Sequence, residues 1–131
     1  NWMATPVMAE IATLWLGDGT MQALVDWQRE ALGQRHRIVS TALEGAAYRA
    51  HPEGLHFWLP LPPEHDELAF VSQARTRGVA VAPSTPFSLS GNPAGAVRVS
   101  VGATEADELR AGLDILASLL RAAPDRSVLA L

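Results

Sequence analysis

The stretch Ala96-Val97-Arg98-Val99-Ser100-Val101 places valine at every second position. Side chains in an extended strand alternate between two sides, so Val97, Val99 and Val101 share one face and Arg98 and Ser100 the other. Three adjacent valines on one face call for a core. A permanently charged guanidinium is costly in that core, so the predicted sheet has one buried face and one uncovered face.

Downstream, Leu109, Leu113, Leu116 and Leu120 recur at spacings of four, three and four, which predicts an amphipathic helix capped by Thr104 and ended before Pro124. Upstream, the proline- and glycine-rich segment from Pro83 to Gly95 reads as a loop. Ahead of it, Val79-Ala80-Val81-Ala82 reads as a short strand, and a helix from about Glu64 to Arg77 closes at Gly78. The turn His51-Pro52-Glu53-Gly54 leads into the strand Leu55–Leu61, which Pro60 ends or marks as an edge. Two helices precede these elements. The first opens at Thr5-Pro6, is short and amphipathic, and carries Met8, Ile11 and Trp15 as far as Gly17; the second, capped by Asp18 or Thr20, runs to about Glu44 before Gly45.

The resulting order ααβαββα predicts an α+β fold: a small three-stranded sheet packed on one face by helices. The chain reads as a single domain over residues 1–131, with a helical lead-in at 1–45, an α/β core at 46–123 and a tail at 124–131. The other sheet face, carrying His56, Trp58, Arg98 and Ser100, has no element left to cover it, which implies a partner surface.

Composition narrows the function classes. A length of 131 residues suits one domain, and 48% hydrophobic against 18% charged residues argues for a folded chain. A net charge of −4, with no basic run, offers no footprint for nucleic acid. No apolar stretch reaches the ~18 residues of a membrane span, and the start lacks the pattern of a signal peptide, so a soluble, cytoplasmic protein without membrane contact is expected. There is no cysteine, which removes disulfides, thiolate metal sites and cysteine nucleophiles. All ten basic residues are arginine, so no lysine amine is present for a Schiff base, and pyridoxal phosphate cannot be attached covalently within this chain.

Few residues are left to carry chemistry. His36, His51, His56 and His65 have no metal-ligand spacing and read as surface or turn residues. Ser84-Thr85-Pro86-Phe87-Ser88 supplies hydroxyls with no triad order, and Gly91-Asn92-Pro93-Ala94-Gly95 joins no strand directly to a helix, so it makes no phosphate cradle. No catalytic residue and no metal site is expected. Arg98 has two readings: a structural salt bridge or plainly exposed residue, which spacing alone favours, or a planar fork for a carboxylate.

Taken together, Tyr48–Leu61 (YRAHPEGLHFWLPL), Gly78–Phe87 (GVAVAPSTPF) and Ala96–Ala103 (AVRVSVGA) resemble the C-terminal small domain of fold-type I, pyridoxal-phosphate-dependent aminotransferases. Within that group the likeness is closest to the MocR branch of GntR-family transcriptional regulators, where a DNA-binding winged helix precedes an aminotransferase-like region. Leu24 and Leu32 stand where a histidine and a tyrosine often occur on the family's long helix.

The resemblance implies that Arg98 binds the α-carboxylate of an amino-acid-like substrate or effector, and that Phe87 and Gly54 belong to possible active-site loops. It implies pyridoxal phosphate in a longer parent, held by a large domain, with a homodimeric parent and DNA contact only through a missing N-terminal domain. The chain alone is expected to hold no cofactor and to catalyse no transamination. The leading expectation is the aminotransferase-like domain of a MocR-type regulator. The alternatives are the small domain of a catalytic aminotransferase and a free-standing ligand-binding or interaction module.

Overall fold

In a computed structural model, residues 5–102 and 104–122 are described; Ala103, Pro124 and the predicted tail lie outside them. The architecture is α+β, with helices α1 (Pro6–Asp18), α2 (Thr20–Ala42), α3 (Glu67–Thr76) and α4 (Ala106–Arg121). Strands β1 (Arg49–Ala50), β2 (His56–Pro60), β3 (Ala82–Pro83) and β4 (Ala96–Ser100) form one antiparallel sheet in the order β1-β2-β4-β3. Arg49–Ala50 thus adds a fourth strand to the expected three, and at two residues it is too short to show a period in the sequence.

The long strands are central. β2 and β4 pair along their whole length, from His56 opposite Ser100 to Pro60 opposite Ala96. Phe57 and Leu59 then share the buried face with Val97 and Val99, and Val101 follows on the same side with no exposed surface. Pro60 ends β2 as expected, and Pro83 falls on an edge strand, where its missing N–H costs no ladder bond.

Among the described residues, helices cover only this apolar face. From α4 come Leu109, Leu113, Leu116, Ala117 and Leu119; from α3, Phe70 and Ala74; and from α2, Leu32 and Val39, with Leu43 just past its end. Leu109, Leu113 and Leu116 fall in the predicted stripe, because a 3.6-residue repeat fixes which side chains share a face, whereas at the end of the helix Leu119 is buried and Leu120 only partly so. Burial on α2 is confined to its C-terminal half. α1 buries no residue and meets α2 at Gly19, whose φ of 85° provides the left-handed corner between them. Its apolar side chains Val7, Met8, Leu14, Trp15 and Leu16 therefore stay exposed, as do Leu24 and Trp27 on α2.

Several boundaries differ from expectation for local reasons. α3 begins at Glu67, not Glu64, because Asp66 is its cap and accepts a hydrogen bond from the Ala69 amide at 2.8 Å. At its other end the Val79 amide reaches the Ala74 carbonyl and the Gly78 amide the Arg75 carbonyl, both at 2.9 Å, a Schellman closure. That closure uses Val79, so β3 starts only at Ala82. α4 is capped by Glu105 rather than Thr104, whose carbonyl instead accepts a hydrogen bond from Arg35.

Leu113→Ala should lower unfolding free energy by about 2–5 kcal/mol, since the side chain is 1% exposed and its loss leaves a cavity. Leu16→Ala, at 70% exposure on α1, should change it by less than ~0.5 kcal/mol. Urea unfolding of both variants checks the pair.

Candidate functional site

The uncovered face of the sheet gathers His56, Trp58, Arg98 and Ser100, as strand alternation requires. Arg98 sits near its middle, opposite Trp58 on one side and Ala82 on the other. It is half-buried, yet among the described residues it has no salt bridge and no side-chain hydrogen bond. The salt-bridge reading of Arg98 finds no acidic partner there.

Its neighbour is aromatic. The Arg98 Cζ lies 4.3 Å from the centre of the Phe87 ring, within the range of a cation–π contact, and the Phe87 ring meets Trp58 edge to face at 5.5 Å and 82°. Such a contact is worth roughly 0.5–1 kcal/mol at an exposed site, far less than a carboxylate paired bidentately in a dry cleft. It holds the guanidinium without consuming its N–H donors, so the fork remains available to an anion.

The loop that carries Phe87 is tied to one carboxylate. Glu67 is 5% exposed at the start of α3. Its Oε1 accepts from the Ser84 amide at 2.7 Å and, more weakly, from the amide and hydroxyl of Thr85 at 3.4 Å. Its Oε2 accepts from the Ser84 hydroxyl at 2.6 Å and the Ala96 amide at 3.3 Å. Ser84 Oγ in turn accepts from the Ala94 amide at 2.7 Å. Both ends of the loop from Ser84 to Gly95 thus converge on α3. Burial pushes the Glu67 carboxyl upward, but the donors from Ser84, Ala96 and Thr85 outweigh it and hold the group below its ordinary value near 4.5.

Of the predicted site residues, the fold brings Arg98 and Phe87 together. Gly54 lies elsewhere, in the turn ahead of β2, where its amide donates to the His51 carbonyl at 2.9 Å and its own carbonyl pairs with His36 Nε2 at 2.7 Å. A Cβ there would lie 3.2 Å from the His51 oxygen, so the glycine suits a close approach of backbone to backbone. His36 is buried and ties α2 to this turn, which corrects its reading as a surface residue; a backbone carbonyl within reach compensates the polar ring. Arg35 beside it donates to the Val101 carbonyl at 3.0 Å, bracing the end of β4. A cleft between α2 and α4, lined by Gln34, Arg35, Arg37, Ile38, Arg110 and Asp114, lies on the helical side, where Arg35 is engaged with Val101 and Thr104 and Arg110 with Asp107.

Glu67 is the residue that sequence reasoning passed over. An acid in the first turn of a helix reads as a complement to the helix dipole, and its partners Ser84 and Ala96 lie 17 and 29 residues away. The serine-threonine pair at 84–85 is the only local hint.

No family model and no curated protein sequence matches the chain. Solved structures do. The fold is similar to part of the kynurenine aminotransferase of Pyrococcus horikoshii, with a TM-score of 0.73 and 21% identity over 81% of this chain and 28% of that one. It is also similar to the multiple substrate aminotransferase of Thermococcus profundus, with a TM-score of 0.71 and 21% identity over 81% and 28% of the two chains. The α-aminoadipate aminotransferase LysN of Thermus thermophilus gives 0.69 and 18%, over 84% and 29%. The chain therefore has the fold of an aminotransferase segment and spans less than a third of the length of these enzymes.

A carboxylate held below its unfolded value adds stability that is complete above about 4.5 and disappears as pH falls through the lower folded value. The stability gap between the native chain and Glu67→Gln should therefore be constant at neutral pH and narrow below 4.5. Urea unfolding across pH 3–7 on both proteins, about half a unit apart, measures that gap.

Proposed function

We propose that this chain is the small domain of a pyridoxal-phosphate-dependent aminotransferase-like protein, and that Arg98 grips the α-carboxylate of an amino-acid ligand. The observation that carries the reading is Arg98 itself: a half-buried guanidinium on an uncovered sheet face, without an acidic partner among the described residues, in a fold shared with aminotransferases. The fork offers two parallel N–H bonds to a carboxylate, which fixes both the position and the orientation of the ligand. Phe87 and Trp58 beside it exclude water from one side of that pair and so strengthen it. Gly54, in the turn ahead of β2 and remote from Arg98, has no part in this reading.

The cofactor does not fit this chain alone. Pyridoxal phosphate acts as an electron sink on an amino group and is anchored by a lysine, and this sequence has none. On this reading a large domain of the same parent holds the cofactor and closes over the Arg98 face, within a dimer. The exposed apolar side chains of α1 and the first half of α2 suit coverage by such a neighbour.

The motif resemblance of Ala96–Ala103 and its companion segments also supports a finer reading, in which the parent is a MocR-type regulator. The same grip would then bias the DNA-binding region when an effector binds. The similar solved structures are enzymes, which supports the catalytic reading instead. The parent reading frame separates them: an upstream winged helix favours the regulator, a large domain alone the enzyme, and neither a free-standing module.

In the full-length parent, Arg98→Lys should weaken binding of its amino-acid ligand by about 10- to 100-fold, because a lysine ammonium cannot reproduce the bidentate fork. Calorimetric titration of both proteins gives the ratio. Equal affinities would remove Arg98 from the site.

A further inference from the structure

We infer that Glu67 is the positioning residue of the Arg98 site: through Ser84 and Ala96 it fixes the loop that sets Phe87 over the guanidinium. The inference rests on the proposed reading for its functional meaning, and on geometry alone for its structural content.

The contacts form one chain. Glu67 belongs to α3, on the covered side of the sheet, whereas Phe87 and Arg98 stand on the open side. The short helical turn Thr85–Phe87 begins one residue after Ser84, so the bonds at Ser84 and Thr85 set the direction in which Phe87 leaves the sheet edge. At the far end of the loop, the Ala96 amide bonds to the same carboxylate, the Ala94 amide bonds to the Ser84 hydroxyl, and the Gly95 carbonyl accepts from the Leu61 amide at 2.8 Å. Ala96 also begins the strand that carries Arg98. Phe87 and Arg98 are thus referenced to one carboxylate, and their 4.3 Å separation follows from it.

Only a carboxylate satisfies this arrangement. Both oxygens receive donors: amides and a hydroxyl on Oε1, a hydroxyl and an amide on Oε2. A glutamine would turn its NH2 toward either the Ser84 and Thr85 amides or the Ala96 amide, setting donor against donor in a buried place. An anchor of this kind differs from general stabilisation, because it acts on where one ring sits.

The test uses the 131-residue chain and nuclear magnetic resonance, with no ligand. In the native chain the Phe87 ring, 4.3 Å from the guanidinium carbon, should shift the Arg98 Hε and Hδ resonances upfield, and Phe87→Leu, which removes that ring, sets the zero. Glu67→Gln should lose most of this shift together with the Trp58–Phe87 contacts, while the resonances of Phe57, Val97 and Leu113 stay dispersed. Amide exchange at Ser84, Thr85 and Ala94 should rise at least about tenfold more than at Phe57 and Val97, whereas a purely stabilising role would raise all by one factor. A folded Glu67→Gln that keeps the Arg98 shift overturns the inference.

Should Glu67→Gln fail to fold, Glu67→Asp decides it by the same readout, since it keeps the negative charge but shortens the side chain by one methylene, so that it cannot reach both Ser84 and Ala96. Retention of the Arg98 shift there counts against the role of Glu67, and its loss while Phe57, Val97 and Leu113 stay dispersed supports it. No carboxylate ligand enters these measurements, so their failure leaves the Arg98 reading standing. Equal ligand affinity in Arg98→Lys, conversely, leaves this geometry untouched.

Discussion

Alternation along β4 is the constraint from which the molecule follows. Val97, Val99 and Val101 are nearly free of solvent, and a strand with a period of two cannot bury them without sending Arg98 to the other side. Pairing with β2 repeats the rule, so Phe57 and Leu59 join the valines while Trp58 joins Arg98. Helices α2, α3 and α4 then have one face to cover, and they cover it with leucine, valine and phenylalanine. The charged face is left open because any helix laid on it would bury an unpaired guanidinium.

The open face is organised from the covered one. A carboxylate buried in α3 is tolerable only when its lone pairs are filled, and the donors that fill them come from the two ends of one loop. That requirement draws the loop inward, narrows the positions open to Phe87 and brings the ring to Arg98. His36 and Arg35 act in a similar way at the opposite end of the sheet, where they bond to the carbonyls of Gly54 and Val101. The polar interior thus connects the helices to the loops, and the apolar interior connects the helices to the sheet.

The likeness to aminotransferase chains concerns shape. At 18–22% identity and under a third of their length, it places the chain in an architecture and leaves its chemistry to the residues. Here the residues place a cation on an open sheet face and include no lysine. The apolar side chains Val7, Met8, Leu14, Trp15 and Leu16 of α1 form a second open surface.

The sequence by itself determined the two faces of β4, the leucine stripe of α4, the glycine closure of α3 and the placing of helices on the valine side. Each of these follows from a repeat or a conformational limit acting within a few residues. It also exposed Arg98, since a charge among valines breaks the pattern that surrounds it. The strand Arg49–Ala50, the late start of β3 and the cap at Glu105 were not legible, because they depend on which neighbour competes for each backbone group. Only the tertiary structure decided that Glu67 binds Ser84 and Ala96, that His36 is buried, and that Phe87 stacks on Arg98. Those pairings join elements with no periodic relation along the chain, and they form only when the packed sheet and helices bring distant donors to one acceptor.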